Sequence, residues 1–107
     1  MIKAVFYKKD DLIFGFSVKG HAGYAVKGKD IICSAVSSLV INTINSIEKY
    51  TDDKFVGETS ESGNLKFKVV SDVSSSSELL INSLYLGLSR ISEENGRNFV
   101  KVYIREV

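Results

Sequence analysis

The chain holds one cysteine and one histidine, Cys33 and His21, twelve positions apart within the segment GHAGYAVKGKDIICSAVSS. A thiolate is a strong nucleophile, and an imidazole beside it can take the thiol proton and later protonate a leaving amine. In residue type the pair suffices to cleave an amide bond. A lone cysteine on an apolar helix is also an ordinary small hydrophobe, and a lone histidine an ordinary surface residue. Placement decides between these readings.

His21 stands where a strand ends and a glycine-containing loop begins. Gly20, Gly23 and Gly28 punctuate residues 20–29, which read as a loop that returns to the start of a helix. Asp30 precedes the apolar run IICSAVSSLVINTINSI, where its carboxylate can accept the unpaired amide protons of a first helical turn. As that helix's N-cap Asp30 is structural, and it could alternatively orient the imidazole. Cys33 then falls within the first turn, where free amide protons and the helix dipole favour negative charge. The same amides can form an oxyanion hole. Strand end and helix start can thus be neighbours, which would bring His21 to Cys33. The glycines, with Ala22, leave room for a substrate backbone to approach, and Tyr24 either lines a pocket or packs on the loop. Ser37, one turn beyond the thiol, is a candidate to support the pair. No second histidine is present to activate Ser34, Ser37 or Ser38 as a nucleophile.

The elements that must position these residues read as follows. IKAVFY (2–7) is a strand ending in the charged turn KKDD, and Leu12, Phe14, Phe16 and Val18 alternate with Ile13, Gly15, Ser17 and Lys19 as its hairpin partner. In the first helix Val36, Val40, Ile44 and Ile47 repeat at helical spacing, widened by Ile32 and Leu39. FVGET (55–59) and LKFKVV (65–70) are two strands joined at Ser62-Gly63-Asn64. Ser75 with Glu78 reads as a capping box for a second helix, whose apolar stripe is Leu80, Leu84, Leu88 and Ile91 and whose stop is Asn95-Gly96. FVKVYI (99–104) closes the chain, with Val100, Val102 and Ile104 on one face. The order ββαββαβ predicts an α+β, two-layer fold: two helices packed on one face of a mostly antiparallel sheet.

A chain of 107 residues reads as a single domain, 1–107, with 44% hydrophobic and 25% charged residues. No membrane span and no secretory leader are expected, and a single cysteine suits a reducing cytoplasm. Cysteine and histidine alone fall short of a structural zinc set, so no metal and no cofactor are expected. A net charge of +1 makes no electrostatic case for direct nucleic-acid binding.

Gly20-His21-Ala22, Gly28, Asp30-Ile31-Ile32-Cys33 and Ala35-Val36-Ser37 together resemble the signature of the ribosomal-processing cysteine protease family, Prp. Chain length and element order fit along essentially the whole chain. Ser34 departs from the more usual alanine. The resemblance implies a cytoplasmic, homodimeric endopeptidase. It would remove an N-terminal extension from a large-subunit ribosomal protein, cutting after an aromatic residue in an apolar stretch. It implies Cys33 as nucleophile, His21 as general base and then acid, and Asp30 in support. An extended apolar peptide lying across the glycine loop through main-chain hydrogen bonds is compatible with that substrate. Two other readings compete. One is a non-catalytic, ribosome-associated module that touches RNA or protein through residues 1–50 and the loop. The other is a redox-sensing thiol, for which Cys33 has no resolving partner in the chain.

Overall fold

The hairpin that opens the fold turns on Asp10 and Asp11, both at positive φ (51° and 65°), the backbone that matches a two-residue connection to the twist of its strands. A computed structural model describes residues 1–20, 29–61, 63–95 and 99–107, with the side chains of residues 29, 30 and 95 outside the description. Strands β1 (Ile2–Lys9) and β2 (Leu12–Lys19) precede helix α1 (Lys29–Tyr50), and β3 (Phe55–Thr59) and β4 (Leu65–Val69) follow it. Helix α2 (Ser75–Asn95) and β5 (Val100–Glu106) complete the chain. The expected order and α+β architecture are found.

The sheet order is β3-β4-β2-β1-β5, antiparallel except for the β1–β5 pair. Two crossovers follow from those directions. The β2–α1–β3 unit steps over β4, while β4–α2–β5 steps the opposite way over β2 and β1 from an oppositely directed strand. Crossovers of one hand, run in opposite directions from opposed strands, put both helices on the same face. Among the described residues no element covers the other face.

The core lies between helices and sheet. Phe6, Phe16 and Phe67 are fully buried there, and each such side chain contributes about 1.5–3 kcal/mol by leaving water. Phe16 stacks on Phe67 with centroids 5.1 Å apart, and Tyr85 of α2 meets Phe6 edge-on at 5.2 Å.

Several stripes differ in detail from the sequence reading. In β2 a bulge shifts the register between Tyr7 and Lys8, so Ile13 is buried while Leu12 and Phe14 are only half-buried. In α1 the inward residues are Ile32, Val36, Val40, Thr43 and Ile47; Leu39 is 36% exposed and lies over Gly87 of α2. Thr43 tolerates burial because its hydroxyl donates to the Leu39 carbonyl at 2.8 Å. Ile81 joins Leu80 in the α2 stripe, and Ile104 is 44% exposed because β5 is the edge strand of the sheet. By length and composition Ile31–Tyr50 is apolar enough to cross a membrane, contrary to the expectation from sequence. Here it lies on the sheet with its buried residues in one stripe and Ser34, Ser38, Asn42 and Asn45 exposed, the pattern of a helix packed by one face.

The α2 cap also falls one residue earlier than expected. Ser74 is the N-cap: its hydroxyl accepts the Ser77 amide proton at 3.1 Å and its carbonyl accepts the first helical bond from Glu78 at 2.9 Å. Asp53 anchors this cap, accepting from the Ser74 amide at 2.9 Å and hydroxyl at 2.8 Å. Burial pushes the Asp53 carboxyl up, but hydrogen bonds from Ser77 and Ser74 outweigh it and hold the group below its ordinary value of 3.8. A carboxyl depressed by folding stabilises above its unfolded pKa and loses that contribution as pH falls through the folded value. Asp53→Asn is therefore expected to cost about 1 kcal/mol at pH 7, the lower range for a partly exposed charged hydrogen bond. The difference from wild type should shrink below pH ~4, which urea melts at pH 7 and pH 3 would measure.

Candidate active site

Three parts of the fold meet at one end of the sheet: the exit of β2, the entrance of α1, and the tip of the β3–β4 hairpin. The exit is Gly20, at φ +84°, whose amide donates to Asn64 Oδ1 at 3.2 Å. Asn64 belongs to the hairpin tip, held by bonds from Ser60 N to the Asn64 carbonyl at 2.9 Å and from Asn64 N to Ser60 Oγ at 3.2 Å. The last described residue before the histidine is thus tied to the hairpin tip. A Cβ on Gly20 would collide with the Met1 carbonyl oxygen. Left-handed backbone costs a non-glycine residue about 1–2 kcal/mol, and overpacking adds roughly 1–3 more. Gly20→Ala is expected to lose about 2–5 kcal/mol of stability in denaturant melts and, by displacing the chain that carries His21, most of any activity.

Cys33 is a free thiol, half-buried, resting on the core from the entrance of α1. Because α1 begins at Lys29, Asp30 lies inside the helix instead of capping it, and Cys33 opens the second turn instead of sitting in the first. The unpaired amides of a helix start belong to its first four N–H groups, so the Cys33 amide is not among them. Donors for an oxyanion would come from residues one turn earlier.

One and two turns beyond the thiol, Val36 and Val40 form a wall of an apolar cavity of roughly 260 Å³. Val18 of β2 and Leu65 of β4 line it, with Ser37 and Thr59 at its edge. Thiol, cavity and the exit of β2 occupy the same end of the molecule. Ser37, expected to support the catalytic pair, contributes to this cavity wall. His21, Ala22, Gly23, Tyr24 and Gly28 lie outside the described residues, as does the Asp30 side chain. Among the described residues no three His, Cys, Asp or Glu side chains gather as a metal site. The clamp from Asn64 was not foreseen from sequence. Its sole signal was the turn Ser62-Gly63-Asn64, read simply as a link between strands.

The chain is similar to SMU.848 of Streptococcus mutans, at 28% identity and a TM-score of 0.88, covering 100% of this chain and 96% of that one. It has the same fold as the ribosomal processing protease Prp of S. aureus in complex with a substrate peptide, at 19% identity and a TM-score of 0.90, covering 98% and 100%. A second structure of that protease, with a covalently linked product peptide, superposes at 20% identity and a TM-score of 0.87, covering 98% and 100%. No curated relative matches the chain. Residues 1–100 match the family described as cysteine protease Prp, and the chain belongs to that family.

Proposed function

We propose that this protein is a cysteine endopeptidase that trims the N-terminal extension of a large-subunit ribosomal protein, with Cys33 as nucleophile and His21 as base and acid. The observation that carries the reading is the half-buried thiol at the entrance of α1, one turn from an apolar cavity, at the end of the sheet where β2 ends. His21 takes the Cys33 proton as sulfur bonds to the scissile carbonyl carbon. It then protonates the departing amine as the C–N bond breaks. The resulting thioester is hydrolysed by water that gives a proton to His21, which frees the thiol. Amides of the first turn of α1 stabilise the oxyanion, and Asp30, in that turn, supports the imidazole. Gly20, Ala22, Gly23, Tyr24 and Gly28 carry the substrate backbone, and the cavity beside Val36 takes an apolar side chain of the peptide.

The same reading takes the enzyme to be a cytoplasmic homodimer. The free Cys33 is compatible with a reducing compartment. Support for a second copy comes from α1, which bears no charged side chain from Ile31 to Ile47 yet exposes Ile31 and Ile41. The experiment is cleavage of a ribosomal-protein precursor that carries its N-terminal extension, with products weighed by mass spectrometry. A single cut after an aromatic residue supports the reading, and an intact precursor beside folded enzyme contradicts it.

A further inference from the structure

The uncovered sheet face has a composition that the net charge conceals. Strand registers place its residues in three rungs. The first is Val56, Lys68, Gly15, Tyr7 and Arg105; the second is Glu58, Lys66, Ser17, Val5 and Tyr103; the third is Lys19, Lys3 and Lys101. Six of the chain's 14 cationic side chains stand here with one of its 13 acidic ones. The remainder of the chain is correspondingly acidic. Five of the six cations are exposed and Lys101 is half-buried. Among the described residues none of the six makes an ion pair.

The third rung does not serve the stability of the fold. Lys19, Lys3 and Lys101 are direct neighbours across three strands, and like charges directly opposite one another destabilise a sheet. The face also carries aromatic surface. Tyr103 is 45% exposed, and Tyr7 donates to Ser17 Oγ at 3.1 Å beneath the Lys66 ammonium, 5.6 Å from its ring centre. Tyr7, Ser17, Lys19 and Lys66, with Glu58 opposite Lys66, border a recess of roughly 230 Å³. A flat sheet with stacking rings between cations is the physical recipe for holding unpaired bases and their phosphates. A second copy of this chain is disfavoured as occupant, because two such faces repel.

We infer that the open sheet face binds a single-stranded RNA segment, with lysines on the phosphates and Tyr7 and Tyr103 against bases. The choice of RNA over DNA rests on the proposed substrate, a protein destined for the ribosome. The binding face is the sheet surface opposite the helices, and its recess adjoins the candidate active site at Thr59, Asn64 and Leu65.

The test is fluorescence anisotropy of a labelled twelve-nucleotide mixed-sequence RNA, titrated with the full-length protein from 50 to 200 mM KCl. Binding should weaken with a log–log slope of about −3, at roughly 0.7 per phosphate contacted on a single strand. Lys66→Glu with Lys68→Glu should lower affinity at least tenfold and flatten the slope; Tyr103→Ala should weaken binding severalfold at unchanged slope. Lys3→Glu with Lys101→Glu provides an independent pair should the first affect folding. All variants should remain folded at the assay temperature and retain peptide cleavage, with Lys66→Glu lowering the melting temperature slightly because it faces Glu58, and Cys33→Ala should bind RNA as wild type does. No binding at 50 mM KCl, or binding indifferent to both charge reversals, overturns the inference. Equal competition by polyglutamate would assign the face to an acidic protein, and equal affinity for single-stranded DNA would remove the RNA assignment. Peptide cleavage is scored separately, so loss of one result leaves the other standing.

Discussion

Cys33→Ala is expected to abolish peptide cleavage, a loss of at least about 10⁴-fold in kcat, since removing the nucleophile of a covalent protease removes the acyl intermediate itself. Structure should survive. Cys33 is only half-buried and packs at the margin of the core, so the shorter side chain is expected to cost no more than about 1 kcal/mol. The readout that separates chemistry from folding is substrate affinity: the variant should still bind the uncleaved peptide with near-wild-type Kd, because the apolar cavity is built from Val18, Val36, Val40 and Leu65. A variant that keeps cleaving would remove Cys33 from the reaction.

His21→Ala is the second large effect, an expected loss of at least about 10³-fold in kcat. Its signature differs from that of the cysteine variant. Without the imidazole the sulfur is still present, so slow cleavage should recover partly in added imidazole and rise with pH as hydroxide deprotonates the thiol. Alkylation of Cys33 by iodoacetamide at neutral pH should slow in this variant while KM changes little. Unchanged kcat in His21→Ala would leave the thiol without its proposed base and break the pairing of the two residues.

How much of this was legible in sequence depended on whether local pattern or long-range register set the outcome. The strands and both helices followed from period-two and helical spacing, since each buries one face against the other layer. The stripes slipped where register intervened. Phe14 alternates correctly with Phe16 on paper, yet the bulge opposite Tyr7 and Lys8 turns Ile13 inward instead. Ile104 obeys the alternation of β5 and remains exposed, because β5 is the edge of the sheet. The caps were misplaced by short distances: Ser74 for Ser75, and a helix beginning at Lys29 with Asp30 already inside it. Serine runs and adjacent polar residues offer several equivalent caps, and the choice is made by Asp53, twenty-one residues away from Ser74.

The site divides in the same way. Cys33 at the entrance of a helix, close after a glycine loop, is a local feature visible in the string. The apolar cavity beside it draws on β2, α1, the end of β3 and β4, and no local pattern joins those segments. The basic sheet face was hidden for a related reason. Its cations come from four strands and are diluted along the chain by acids that fold away from them.

The central claim is that Cys33 is the sulfur that forms the acyl intermediate, and a substrate-like affinity label tests it most directly. A peptide ending in an aromatic residue and carrying a chloromethyl ketone would be incubated with the wild-type protein, and the adduct mapped by proteolysis and mass spectrometry. One equivalent of label on Cys33, with parallel loss of cleavage and protection by uncleavable substrate, is the result predicted. Full loss of cleavage with Cys33 unmodified, or labelling of Cys33 that leaves cleavage intact, would contradict it.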